Sequence, residues 1–217
     1  MLRLLATVAS AAVLFACGSS SSGASSPPPA AALTGTLLGQ PFTPADSAAL
    51  LPGQGSCTLS SVTASATGLA VRFSSFPGVC SLMSSQNRTC GSRANATVLT
   101  LLVVSAKVGS TAAPVQPGTY HIATLPRPDA QGFTLAEGFA AKTAAACTTT
   151  PATSFATSGT ITIETAGSSV TGSADVTFSD GGHVAGTFSA PVCGLQVDMC
   201  TVLADLAESC ITQACVP

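Results

Sequence analysis

The chain has 217 residues, of which only 7% are charged: seven Lys and Arg stand against nine Asp and Glu, for a formal net charge of −2. So few cations supply no basic stripe to neutralise a phosphate backbone, which argues against nucleic acid as a partner. A mean hydropathy of +0.52 arises from Ala and Val spread among Ser, Thr and Gly, and beyond the N-terminus no apolar run approaches the roughly 20 residues of a membrane-spanning helix.

The first segment has one cation at Arg3, an apolar run from Leu4 to Phe15, and small Ala16 before Cys17. That is the layout of a secretory signal peptide over residues 1–16. Leu14-Phe15-Ala16-Cys17 resembles the bacterial lipobox, although Phe15 departs from the small or β-branched residue usual at that position. The resemblance implies that Cys17 is acylated and becomes the first residue of a lipid-anchored mature protein. The alternative is an ordinary secretory signal with Cys17 near its cleavage site.

Residues 18–32 read GSSSSGASSPPPAAA, without charge or large apolar side chains. They cannot bury enough surface to offset the entropy of ordering, so residues 17–32 are expected to be a lipidated tether. Fully extended it reaches about 50 Å at ~3.3 Å per residue. Gly18 after the Cys, by resemblance to enterobacterial sorting, permits export to the outer membrane. The expected lipid partner is the bilayer itself, bound through acylated Cys17.

Nine cysteines occur, and assigning Cys17 to lipid leaves an even set: Cys57, Cys80, Cys90, Cys147, Cys193, Cys200, Cys210 and Cys215. In an exported chain that points to disulfides, with connectivity open. Metal binding by Cys193, Cys200, Cys210 and Cys215 is disfavoured. Their gaps of six, nine and four residues lack the short paired spacing by which two thiolates chelate from one turn. No metal or cofactor is expected.

From Leu33, short β-prone segments alternate with Gly, Pro and Ser clusters. Strands are expected at Leu33–Leu38, Thr58–Ala64, Gly68–Ser74, Thr97–Ser105, Thr119–Leu125, Phe133–Ala140, Thr160–Glu164, Ser169–Phe178 and His183–Ser189. The expected fold is all-β: a disulfide-stapled antiparallel β-sandwich, or alternatively a partly closed barrel, with a short C-terminal helix. The β-rich domain spans 33–193 and a Cys-rich helical tail spans 194–217.

The alternation between Gly159 and Cys193 is regular enough to test turns against register. A two-residue turn at Ala166-Gly167 would set Ile163 opposite Val170 and Ile161 opposite Gly172, with one shared apolar face. A three-residue Asp180-Gly181-Gly182 loop, with a glycine in the left-handed conformation, would pair Phe178 with Val184, Val176 with Gly186 and Ala174 with Phe188. Ile161, Ile163, Val176, Phe178 and Phe188 then point inward. Thr171, Ser173, Asp175, Thr177, Ala185, Thr187 and Ser189 point outward.

Two segments break the β pattern. Cys80 to Cys90 reads as a polar loop or short helical turn pinned by its own cysteines. From Gln196 to Ser209, Val197, Cys200, Leu203, Ala204, Leu206 and Ala207 follow a near-helical period. This predicts one amphipathic helix, held to the body through Cys193, Cys200, Cys210 or Cys215.

The stretches Pro117-Gly118-Thr119-Tyr120, Val170–Phe178 and Gly186–Cys193 together resemble uncharacterised β-rich lipoproteins of myxobacteria and related Gram-negative bacteria. The resemblance covers about half of the mature chain. It implies a β-rich fold and an envelope address, and carries no activity.

The chain lacks the familiar catalytic patterns. No serine has glycines two residues away on both sides, as the nucleophile elbow of an α/β hydrolase needs. Lys107 and Lys142 follow Val104 and Phe139 at the spacing where penicillin-recognising enzymes have a serine. The only histidines, His121 and His183, read as an exposed strand residue and a loop-edge residue opposite Ser179, and nothing in the sequence places them together. Glu137, Glu164, Asp175 and Asp180 read as solvated acids rather than a glycosidase pair. The absence of Trp and a single Tyr120 argue against a sugar-stacking site. Asn87-Arg88-Thr89 and Asn95-Ala96-Thr97 match glycosylation sequons that a bacterial lipobox makes coincidental. Arg72, Arg88 and Arg93 amount to no more than a solvated face.

The sequence therefore favours a membrane-anchored envelope lipoprotein that is a non-enzymatic binding or structural module and contacts an envelope protein or extracellular ligand. The competing readings are an extracellular hydrolase with an unrecognised carboxylate or histidine pair, and an apolar-ligand carrier with an open barrel.

Overall fold

The computed structural model describes residues 32–59, 62–86, 93–122, 132–145 and 152–204. Residues 1–31, with Cys17, the expected signal peptide and all but the last residue of the expected tether, lie outside those residues, as do Cys90, Cys147, Cys210 and Cys215. The strands are β1 (Thr34–Leu37), β2 (Gln40–Phe42), β3 (Asp46–Leu50), β4 (Gly55–Leu59), β5 (Val62–Ser74), β6 (Thr97–Val108), β7 (Gly118–His121), β8 (Phe133–Lys142), β9 (Ala152–Ala166), β10 (Ser169–Phe178) and β11 (His183–Pro191). The helices are α1 (Val79–Gln86) and α2 (Met199–Ala204). Neither is long and apolar enough to cross a membrane.

All strands join one antiparallel sheet in the order β2-β1-β11-β10-β9-β8-β6-β5-β3, with β4 added to β5 and β7 added to β9. Two long strands make the sheet curl. The first, β9, pairs with β8 through Ala152–Phe155 and with β7 through Thr160–Ile163. The second, β5, pairs with β4 through its first residues and with β3 through its last. The curl carries β3 back to the far end of β11. There Ala49 bridges Val192, the Cys193 amide donates to the Ala49 carbonyl at 2.8 Å and the Ser47 hydroxyl donates to the Ser189 carbonyl at 3.0 Å. The result is a partly closed barrel rather than two stacked sheets.

Its interior is one cluster that includes Leu37, Phe42, Leu69, Phe73, Leu99, Leu101, Ile161, Ile163, Val176, Phe178 and Phe188. Phe73 and Phe188 meet edge to face at 5.6 Å. A second cluster lies on the outer side of β3, β5 and β6, where Val79 and Met83 of α1 and Met199 and Val202 of α2 cover Ala48, Leu50, Ala66, Ala70 and Leu102. Strands β3 and β6 are thus buried on both faces. That erases the alternation by which a strand is recognised, and β3 escaped the sequence reading for this reason.

The hairpins keep the expected faces and change the register. Gly172 pairs with Ile163 and Ala174 with Ile161, and Glu164 is an extra residue at a bulge. On the other side Val176 pairs with Val184, Ala174 with Gly186 and Gly172 with Phe188. The second ladder throughout, and the first between Gly172 and Thr177, are displaced by two residues from expectation, which preserves the inward and outward positions there. The second turn is longer than the three-residue form: it runs from Phe178 to Gly182, closed by Phe178 N donating to the Gly182 carbonyl at 2.8 Å. Gly181 does adopt the left-handed conformation, with φ of 82°. The single strand expected at Thr58–Ala64 is divided between the end of β4 and the start of β5, with Cys57 opposite Ala64 and Thr58 opposite Thr63, and residues 60 and 61 lie outside the described residues.

The segment expected as a polar loop or helical turn begins with a true helix, α1, which buries Val79 and Met83 completely. Asp46, at the start of β3, caps it: its Oδ2 accepts from the amides of Gly78 at 2.8 Å and Val79 at 2.9 Å. A carboxylate at a helix N-terminus also meets the positive end of the helix dipole. The disulfide of α1 runs to the tail, Cys80–Cys193, and not within its own segment. A second disulfide, Cys57–Cys200, ties α2 to β4.

Within the expected Gln196–Ser209 helix, the described helical residues are Met199–Ala204, and 205–209 lie outside the described residues. Residues before Met199 are extended because their backbone is engaged elsewhere: Gly53 N donates to the Val197 carbonyl at 2.9 Å, and Met199 N donates to the Gly53 carbonyl at 3.0 Å. Asp198 then caps α2, accepting from the Thr201 amide and hydroxyl, each at 3.0 Å. Those bonds favour the ionised carboxylate and hold its pKa below the usual value.

Candidate functional site: the open face of the barrel

The outer surface of the barrel has two unlike halves. Over β3, β5 and β6 it is covered by the helices. Over β7, β9, β10 and β11 it is open among the described residues, and the alternation of these strands turns hydroxyls outward in rows. Thr119, Thr162, Ser173 and Thr187 form one row across four strands. The next contains His121, Thr160, Asp175 and Ala185, and a third contains Ser158, Thr177, His183 and Thr36. Several hydroxyls pair with each other, Thr119 with Thr162 at 3.0 Å and Thr165 with Thr171 at 2.8 Å. These cross-strand pairs stiffen the face.

His183 is opposite Thr177, not Ser179 as expected. The two-residue change of register sets it diagonal to Asp175, and the His183 Nε2 lies 2.8 Å from Asp175 Oδ1. The side chains are 51% and 72% exposed. In water such a pair contributes about 0.2–1 kcal/mol. Chemically, Asp175 orients the imidazole as a carboxylate does in a catalytic dyad, but here on an open surface without walls to exclude water. His121 shares the face yet stands apart. Its row neighbour Asp175 is two strands away, about 10 Å by backbone spacing, and the strand of His183 is about 14 Å away.

The other acids singled out in the sequence are dispersed. Glu164 is exposed at the β9 bulge. Asp180 accepts from the Ser154 hydroxyl at 2.6 Å, which lowers its pKa and fixes the β10–β11 turn to β9. Glu137 is on the outer side of β8, where burial raises its pKa. Among the described residues no group of three or more His, Cys, Asp and Glu could hold a metal ion.

A buried polar set lies on the other half of the barrel. Arg72 is 6% exposed, opposite Ala48 and Thr100, and desolvation lowers its pKa to about 10. This corrects the expectation of a solvated arginine face. Arg93 instead lies over the ring of Phe76 at 5.3 Å, and Arg88 is outside the described residues. Beyond Thr100 in the same row, the rings of Phe139 and Phe155 pack at a tilt with centroids 5.3 Å apart, and Phe155 is 51% exposed.

The His183–Asp175 contact is the one feature of the open face that sequence reasoning missed. The residue types were visible, but the register that joins them depends on the length of the turn. Compared with known protein families, with curated proteins and with solved structures, the chain matches none.

Proposed function

We propose that this protein is a lipid-anchored envelope lipoprotein whose barrel acts as a non-enzymatic binding module through the open hydroxyl-rich face. The observation that carries the reading is the asymmetry of the barrel: one outer half is sealed by two disulfide-linked helices, while the other presents ordered rows of Thr and Ser with few charges. A stiff, near-neutral, hydroxyl-lined surface suits contact with an envelope protein or an extracellular ligand. The interior supports binding outside rather than within, because its inward side chains pack into one cluster. The address rests on the N-terminal pattern, with acyl chains on Cys17 and a tether that joins the barrel at Ala32 and Leu33, beside Gly186 of β11. Such a domain would be held at the outer membrane.

Site-specific photocrosslinking on intact cells tests the surface. A crosslinker at Ser173 or Thr187 should capture a discrete partner, and one at Ser81 on α1 should not; equal capture, or none from the open face, would sink the reading. Palmitate labelling tests the anchor, and labelling that survives Cys17→Ala would refute it. The His183–Asp175 contact supports a second reading, an extracellular hydrolase. Turnover of an ester or glycoside panel, abolished by His183→Ala, would favour that reading over the first.

A further inference from the structure

Both described disulfides end in the same short stretch of chain. Cys193 joins α1 through Cys80, and Cys200 joins β4 through Cys57. That stretch, residues 193–204, contributes to none of the barrel ladders, which end at β11. Its backbone is held to the barrel by the Cys193–Ala49 bond and the pair of bonds to Gly53. Its side chains Met199 and Val202 are buried over the small-residue face of β5, where Ala66 and Ala70 flank Gly68. A Cβ on Gly68 would lie 2.5 Å from Met199 Sδ.

We infer that residues 193–204 form a redox-released strap: with both disulfides intact it covers the outer face of β5, and with both reduced it detaches while the barrel persists. Each reduction transfers two electrons and two protons from a dithiol. The Cys–Cys bond becomes two thiols and the reductant becomes a cyclic disulfide. The covalent ties add to the burial of Met199 and Val202 and fix a short segment with few backbone bonds as a permanent cover. Strands β3, β5 and β11 share the interior cluster, and the Ala49–Val192 bridge and the Ser47–Ser189 bond close the curl from outside the strap. Thiol–disulfide poise then determines whether the Ala66–Gly68–Ala70 face meets water.

Hydrogen exchange on the full chain tests this, in the wild type with and without a dithiol reductant, and in Cys57→Ser/Cys200→Ser, Cys80→Ser/Cys193→Ser and the quadruple variant. The serine variants leave the other cysteines untouched. In the quadruple variant, the amides of Gly53, Cys193 and Met199 should exchange more than about tenfold faster while β9, β10 and β11 stay within about threefold of the wild type. Binding of an apolar dye should rise in parallel. Unchanged protection at those amides would show that non-covalent contacts hold the segment. Equal loss of protection across the barrel, including outright failure to fold, would show that the segment is part of the core. Either result overturns the strap.

Discussion

The seat of α2 on the barrel can be tested by a double-mutant cycle at Gly68 and Met199. Met199 is fully buried, so Met199→Ala should cost about 2–5 kcal/mol from lost burial and the cavity left behind. Gly68→Ala acts in the opposite sense, by overfilling. Its Cβ would be 2.5 Å from Met199 Sδ and 2.7 Å from the Val103 carbonyl oxygen, and overpacking of this kind costs about 1–3 kcal/mol. The two contacts differ in character, since the sulfur belongs to a flexible side chain and the carbonyl is part of the β6 backbone. Removing the sulfur should therefore relieve part of the glycine penalty and leave the part due to Val103. The double variant is expected to fall short of the summed losses by about 1 kcal/mol or more. Urea unfolding at equilibrium measures this, provided the slope m is unchanged across the four proteins. Additivity within about 0.5 kcal/mol would mean that Met199 does not rest on Gly68, and the account of the covered face would be wrong.

Burial raises the Glu137 pKa, so the folded chain is at full advantage below the unfolded pKa and loses that advantage as pH rises through the folded one. Glu137→Gln should accordingly be more stable than the wild type at neutral pH and equal to it in acid, as thermal unfolding across pH will show. Asp180 has the opposite sign: its lowered pKa contributes stability above the unfolded value that disappears as pH falls through the folded value. Asp180→Asn should be destabilised at neutral pH, with the difference closing in acid, and Ser154→Ala should shrink that pH dependence. A cycle on Asp175→Asn and His183→Gln, followed by denaturant unfolding at pH 6, should give a coupling below about 1 kcal/mol that weakens with added salt. A salt-independent coupling of several kcal/mol would show that the pair is not the open surface contact described.

Alternation along β9, β10 and β11 was enough to assign inward and outward residues, because a side chain's face depends only on its parity in the strand. The same parity explains the register error. A shift of two residues leaves every apolar side chain inside, so the hydrophobic pattern cannot distinguish Phe178 opposite Val184 from the observed Val176 opposite Val184. Turn length makes that choice, and here the five residues from Phe178 to Gly182 are held by a backbone bond and by Asp180 on Ser154. The contact between His183 and Asp175 follows from it.

Contacts distant in sequence decided the rest. Asp46 caps α1 from 32 residues away, so no local capping signal announced that helix. Cys57 and Cys200 are 143 residues apart, and Cys80 and Cys193 are 113 apart; their pairing follows from the curl of the sheet and from nothing in their spacing. Arg72 sits at an outward position of β5 and would be solvated on a bare sheet. It is buried because the outer side of that strand is covered. Local chemistry along the chain specifies the strands that alternate, their faces and the even set of cysteines after Cys17. Which strands meet, which half of the barrel is sealed and which is left open depend on closure of the sheet, since only closure brings β3 to β11 and lays the tail across β5.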